Sequence, residues 1–438
     1  MKRHITLFFL TFSALYATAQ QQVLKPRPDA FPPIQETLNT KSINMATTVE
    51  QMADWDRYPT YPVYLQMMQR WVDTYPTLCH MDTIGTSLQG RLILSVYIDP
   101  DTLPTSLGEE SERPEFFYSA TIHGDELTGY IMMLRLIDTL LSSYGTSPEL
   151  TTLMNTTRIS INPLANPDGT YWGGDNSING RRRYNAHGID LNRHYPDPFN
   201  PSVKSVPLEN QLMIDYLSAH NFRLSANLHG GAEVMNYPWD SFTLEDRPHP
   251  AAEWWQEVGR RFVDTAWLID DTRFRDACQE GVIAGGDWYL IGGGRQDYVN
   301  YYHHCLEMTM EISLQKTLPC ERLNAYWRLL AKSLINYIDE IHSLPSNIGI
   351  PQVSLTTFHS PLVYPNPTTG AVVISGLEPG APLELLDPTG RVLQRFTHPH
   401  ISVSSPENMT TVTLDLSSLT PGIYFLRTPQ GTTKLLKR

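Results

Sequence analysis

Between residues 64 and 342 the chain alternates segments of helical period with short apolar runs of strand length, and few folds accommodate that alternation. Tyr64, Met68, Trp71 and Tyr75 recur at helical spacing and stop at Pro76. Apolar runs over 115–122, 158–162 and 222–228 read as strands, and the segments 127–141, 208–220, 252–266 and 323–342 as helices. Strands alternating with helices predict an α/β domain, a mixed sheet in a three-layer α/β/α arrangement, over residues 56–343. Near Ser343 the texture changes. Residues 344–361 read as a linker, and 362–438 hold short alternating runs at 371–374, 383–386, 411–416 and 423–426. Turns such as Glu378-Pro379-Gly380 and Asp387-Pro388-Thr389-Gly390 separate them, which predicts a small all-β sandwich domain.

The beginning of the chain reads as an export signal over residues 1–19. Lys2, Arg3 and His4 precede an apolar stretch that ends at Ala17-Thr18-Ala19, a small-residue cleavage site. The stretch is too short to span a bilayer, and no later run is long enough. Residues 20–55, marked by Pro26, Pro28, Pro32 and Pro33, carry no sustained period and read as a leader or propeptide. Export would permit Cys79, Cys278, Cys305 and Cys320 to pair, and at least one bridge is expected among the last three. No CxxC pair is present, which argues against a cysteine metal knuckle. With 46 acidic against 33 basic side chains, the net charge of −13 argues against nucleic acid or an anionic membrane as the main partner.

Chemistry gathers at the ends of two predicted strands. The first runs into His123-Gly124-Asp125-Glu126, and an imidazole and a carboxylate three residues apart there can face one point above the sheet. The second ends in Asn227-Leu228-His229-Gly230-Gly231. Catalytic zinc sites use three nitrogen or oxygen ligands and keep a fourth position open, and open sheets bind ligands beyond the carboxyl ends of their strands. Between them lie Asn166-Pro167-Asp168-Gly169 and Gly188-Ile189-Asp190-Leu191-Asn192-Arg193, a turn whose Asn and Arg suit a carboxylate. Farther on, Glu311 sits in the apolar run Met308-Thr309-Met310-Glu311-Ile312, where burying a carboxylate is costly without a metal, a partner or chemistry.

In this order the motifs HGDE, NPDG, GIDLNR, SANLHGG, YPWD, DWY, GGGRQD and TMEIS resemble the zinc metallocarboxypeptidases, and within them the regulatory branch that includes carboxypeptidases N, E, D and M. The match runs over residues 58–342. The resemblance implies one Zn2+ per chain, held by His123, Glu126 and His229. It implies that Glu311 is the general base that later protonates the leaving amine, and that Arg183 steadies the oxyanion. Asn192, Arg193 and Tyr289 would grip the free α-carboxylate of a peptide or protein C-terminus, which restricts cleavage to the last bond. Asp240 and Gln296 match pocket residues that favour C-terminal Lys or Arg.

Two positions depart from that branch. Arg295 stands where relatives usually carry methionine; directed into the pocket it would neutralise Asp240 and repel a basic side chain, and otherwise it is an exposed arginine. Asp125 stands where relatives often have asparagine. The bland readings are that Asp168, Gly169 and Asp190 shape loops, and that His303-His304 with Glu307 is satisfied by hydrogen bonds rather than being a second metal site. The C-terminal segment, with Val363-Tyr364-Pro365-Asn366-Pro367 and Gly422-Ile423-Tyr424, resembles the sorting domain of type IX secretion substrates. That implies a secretion machinery as partner and an extracellular enzyme, secreted or attached to the cell surface, expected to be monomeric. Rivals are the same chemistry on neutral or acidic C-termini, an enzyme of cell-wall peptides, and a non-catalytic surface binding protein. The last should have lost a ligand or the base, and none is missing from the sequence.

Overall fold

The apolar runs form strands in the computed structural model, which describes residues 43–101, 113–199, 205–345 and, beyond these, the strands and adjoining turns between 362 and 437. The segment read as an export signal, 1–19, most of the one read as a leader, 20–55, and nearly all of the one read as a linker, 344–361, lie outside the described residues. The chain divides into two compact units at Gly349 and Ile350.

The first unit is built on an eight-stranded mixed sheet. Its strands are β1 (Cys79–Thr86), β2 (Leu92–Ile98), β3 (Glu115–Ala120), β4 (Arg158–Asn162), β5 (Phe222–His229), β6 (Ala232–Tyr237), β7 (Val282–Ala284) and β8 (Leu306–Ser313). Their spatial order is β1-β2-β4-β3-β5-β8-β6-β7. The central strands β4, β3, β5 and β8 run parallel, and the antiparallel pairs lie toward the edges. Parallel strands are buried on both faces and so read as continuous apolar runs. In β3, Phe116 and Tyr118 join one core with Tyr337, while Phe117 turns to the other face and stacks on Phe222 at 4.8 Å.

Helices cover those faces. They are α1 (Tyr61–Thr74), α2 (Thr128–Ser143), α3 (Pro148–Thr156), α4 (Leu208–Ala219), α5 (Ala252–Trp267) and α6 (Cys320–Asp339). Thr60 caps α1 by accepting the Val63 N–H, and Pro62 sits in its first turn, where no donor is lost. Helices α1, α2, α5 and α6 bury their apolar stripes in the larger core, and α4 places Met213, Tyr216 and Leu217 in the smaller one. The last residues of the segment read as a leader also pack here, with Ala46, Met52 and Trp55 inside the larger core.

The expected disulfide does not form. All four cysteines are free and buried. Cys305 Sγ lies 3.3 Å from Ser225 Oγ, Cys278 Sγ donates to the Val282 carbonyl, and Cys320 Sγ to the Asn44 carbonyl.

The second unit holds two four-stranded sheets. Val372, Ile374 and Leu414 of one sheet share a single core with Leu383, Leu385, Leu426 and Leu435 of the other, which is the packing of a β-sandwich. Among the described residues no helix is long and apolar enough to cross a membrane.

Candidate active site

Strand β3 ends at Ala120, and Thr121 then takes a positive φ of 66°, its hydroxyl donating to the Pro163 carbonyl. This bend delivers His123 and Glu126 above the sheet. His229 is the last residue of β5, the neighbour of β3. His123 Nδ1, His229 Nδ1 and Glu126 Oε2 stand 2.9–3.1 Å from one another, and all three side chains are buried.

Two imidazole nitrogens that face each other at 3.1 Å beside a carboxylate oxygen are converging acceptors, which a shared cation satisfies. A tetrahedral ion with bonds of about 2.1 Å holds its ligands about 3.4 Å apart, close to this triangle. Two nitrogens and one oxygen are a donor set that zinc accepts, so the residues present fit the metal. Among the described residues this is the one such cluster.

The far sides of the imidazoles are held. His123 Nε2 meets Asp190 Oδ1 at 3.2 Å, and His229 Nε2 meets Asn227 Nδ2 at 2.9 Å, while Asn227 Oδ1 is buried without a partner. Turning that amide over puts its oxygen at Nε2, where it accepts Nε2–H and leaves Nδ1 free to coordinate. Burial pushes His229 down to about 4, toward the neutral form a ligand needs. Burial alone would raise the Glu126 carboxyl, yet the two imidazoles beside it hold it well below the usual range. Its other oxygen lies 3.4 Å from both Arg183 Nη1 and Lys316 Nζ.

Glu311 lies on β8, paired in register with His229 of β5. Its Oε2 is buried without a protein partner, and burial, then the Glu126 charge, push its carboxyl well above the ordinary range. Arg183 is steadied by Asp190, which accepts Nε at 2.9 Å. Asp190 therefore does more than shape its loop: one carboxylate also caps the Leu191–Arg193 turn through the Asn192 N–H and touches His123.

His123, Arg183, Asn192, Arg193, His229, Asp240, Tyr289 and Glu311 line one cleft together with Asn236, Ile291 and Thr309. Glu126 and Gln296 stand behind that lining, bonded to it. Gly293 shapes one wall: its φ is +72°, and a Cβ there would lie 2.6 Å from the Arg193 carbonyl oxygen. Asp240 is buried and accepts from Gln296 Nε2 at 2.9 Å, while Gln296 Oε1 accepts the Thr309 N–H. Burial first, then the neighbouring Asp297 carboxylate, push Asp240 well above its ordinary range.

Arg295 takes neither of its expected places. It is fully buried, away from the cleft lining, with Nη2 2.9 Å from Glu307 Oε2. Glu307 is thereby occupied, and His303 contacts the Tyr298 hydroxyl, so no second metal cluster forms there. Asp168 is caged by Arg91, Ser87 Oγ and the Gln89 N–H, a tie to the turn between β1 and β2 rather than a simple turn residue. The sequence reading missed Asn227, Asn236 and Thr309. Asn227 carries a signal in hindsight, since it sits two residues before His229 and so on the same face of β5.

Residues 64–333 match the zinc carboxypeptidase family model, and residues 362–438 match the secretion system C-terminal sorting domain. Carboxypeptidase M of Mus musculus is 36% identical over 286 residues, covering 61% of this chain and 62% of that protein. The catalytic chain of human carboxypeptidase N is 30% identical over 322 residues, covering 65% and 69%. Carboxypeptidase D of Mus musculus is 30% identical over 299 residues, covering 65% of this chain and 21% of that protein. The chain thus spans less than two thirds of the first and last of these relatives. Carboxypeptidase A from Helicoverpa armigera superposes with a TM-score of 0.54 at 17% identity, covering 67% of this chain and 75% of that one. Thrombin activatable fibrinolysis inhibitor does so at 0.53 and 18%, covering 66% and 74%, and both share the fold. With the family model over most of the first unit and the His-Glu-His cluster in place, this chain belongs to the zinc carboxypeptidase family.

Proposed function

We propose that this chain is an exported metallocarboxypeptidase that hydrolyses the last peptide bond of peptides and proteins, with a preference for C-terminal Lys or Arg. The observation that carries the reading is the sharing of one cleft by the ligands His123 and His229, the acid–base group Glu311 and the paired Asn192 and Arg193. Zinc held by His123, Glu126 and His229 supplies a Lewis acid for the scissile carbonyl and lowers the pKa of a water toward about 7.

The rest is the work of the chain's own residues. Glu311, its Oε2 unpaired beside the ligands, takes a proton from the attacking water and returns it to the leaving amine. Arg183 stabilises the oxyanion, a charge that exists only in the transition state. Arg193 and Asn192, with Tyr289 at the cleft's open side, clamp the substrate carboxylate. An internal peptide bond has no such anion, so the clamp limits hydrolysis to one residue at a time.

Asp240 supports the basic preference. It lies beside Asp297 in a buried setting that disfavours its charge more than the nearby Arg193 offsets, and an arriving ammonium or guanidinium adds the positive charge that favours it. Arg295 does not oppose this, because its charge is matched by Glu307. The C-terminal unit, a secretion sorting domain by its family match, supports delivery through a secretion machinery to the outside or the cell surface.

The test is mass spectrometry on peptides that differ only in the last residue, with and without a zinc chelator. Stepwise loss of terminal Lys or Arg, stopped by the chelator, is the expected result. Loss of neutral or acidic residues would overturn the preference, and no hydrolysis of any peptide would overturn the activity.

A further inference from the structure

Arg295 opens the short helix Arg295–Tyr298, and each of its first three residues touches the cleft differently. The Arg295 N–H donates to Asn192 Oδ1 at 2.9 Å. Gln296 bridges Asp240 Oδ1 and the Thr309 N–H. Asp297 accepts the N–H groups of Asp240 and Ser241 at 2.7 and 3.0 Å. One helical turn therefore touches both Asn192 and Asp240.

The Arg295 side chain fastens that turn to the sheet. Its guanidinium lies 5.2 Å from the Phe117 ring centre and bonds Glu307 Oε2, which also accepts Ser225 Oγ of β5 at 2.8 Å. Glu307, Thr309 and Glu311 alternate onto one face of β8, so the strand that carries Glu311 also carries the fastening point. Both charges are fully buried, while Arg295 Nε and Nη1 and Glu307 Oε1 meet no protein partner. A buried pair satisfied this sparsely is a weak source of stability. Its contribution is to placement.

We infer that the Arg295–Glu307 pair is a positioning device for substrate recognition, setting residues 295–297, and through them Asn192 and Asp240, at a fixed place relative to Glu311. This rests on the carboxypeptidase reading above and extends it.

The experiment compares the zinc-loaded full chain with Arg295→Met, Arg295→Lys and the double variant Arg295→Met/Glu307→Met. KM, kcat and Tm are followed on peptides ending in Lys and in Leu. Arg295→Met is expected to raise KM on both peptides by about tenfold and to leave kcat within about threefold, because binding common to ground and transition states is lost. Arg295→Lys restores part of it. The double variant is expected to recover Tm, since no unpaired carboxylate remains buried, while KM stays high. Recovery of KM together with Tm would overturn the proposal and leave charge compensation as the pair's only effect. An unchanged KM in Arg295→Met would overturn it too, and a gain confined to the Lys peptide would make Arg295 a pocket charge. Wild-type protein that cleaves only neutral or acidic ends would refute the basic preference instead, and KM on those ends still reads the anchor.

Discussion

Glu311 of β8 and His229 of β5 are direct register partners on adjacent parallel strands. Strands in a sheet lie about 4.8 Å apart, so the hydrogen-bond ladder itself sets the spacing between the proposed acid–base group and the metal ligand. No loop intervenes.

Glu311→Gln keeps the shape of the side chain and removes its proton chemistry. Zinc content is expected to match wild type while kcat falls by about 10²–10⁴-fold. Metal analysis beside steady-state kinetics checks this, and retained turnover would take the role of base away from Glu311.

His229→Ala removes one of three ligands and is expected to abolish stable zinc binding, read as metal content after dialysis. Asn227→Ala removes only the partner of His229 Nε2 and should weaken zinc by about 10–100-fold. Competition against a chelator measures both. Unchanged affinity in Asn227→Ala would mean the ring is oriented by packing alone.

Peptides with an amidated C-terminus offer Arg193 and Asn192 no anion. They are expected to resist hydrolysis, and Arg193→Met should raise KM on free-acid peptides by at least about tenfold, the loss of a charged hydrogen bond. Equal cleavage of amidated and free peptides would dismiss the clamp.

Gly124 lies between two ligands, where an added Cβ would run into the backbone of Gly169 and Thr170. Gly124→Ala is expected to cost about 1–3 kcal/mol of stability and to lower zinc affinity, because the 123–126 loop must shift. Denaturant unfolding of the zinc-loaded protein measures the first effect, and a wild-type midpoint would show that the loop yields freely.

The sequence made the central strands readable because β3, β4 and β5 are buried on both faces and stand out as short segments rich in apolar residues, such as Phe116-Phe117-Tyr118 in β3. The hairpin of β1 and β2 was not foreseen. In Cys79–Thr86 buried and half-exposed residues mix without a clear two-residue period, and a β-bulge at Thr83–Gly85 breaks the register. The candidate ligands were legible because they fall at strand ends in a known order. Partners across the fold were not. That Asp190 would reach His123, or that Arg295 would find Glu307 instead of solvent or pocket, depends on contacts between elements distant in sequence. The missing disulfide has the same origin, because cysteine count says nothing of where each thiol is buried.

The Leu191–Arg193 turn, the short helix Arg295–Tyr298 and the glycines before it all lie in connections between strands, whereas His229 and Glu311 lie on strands. The sheet thus holds His229 and Glu311 fixed, while the residues proposed to grip the substrate, like His123, Glu126 and Arg183, sit in the connections around them. The short helix Arg295–Tyr298 and its glycines can therefore vary more freely than the Leu191–Arg193 turn, whose Asp190 is also tied to Arg183 and His123.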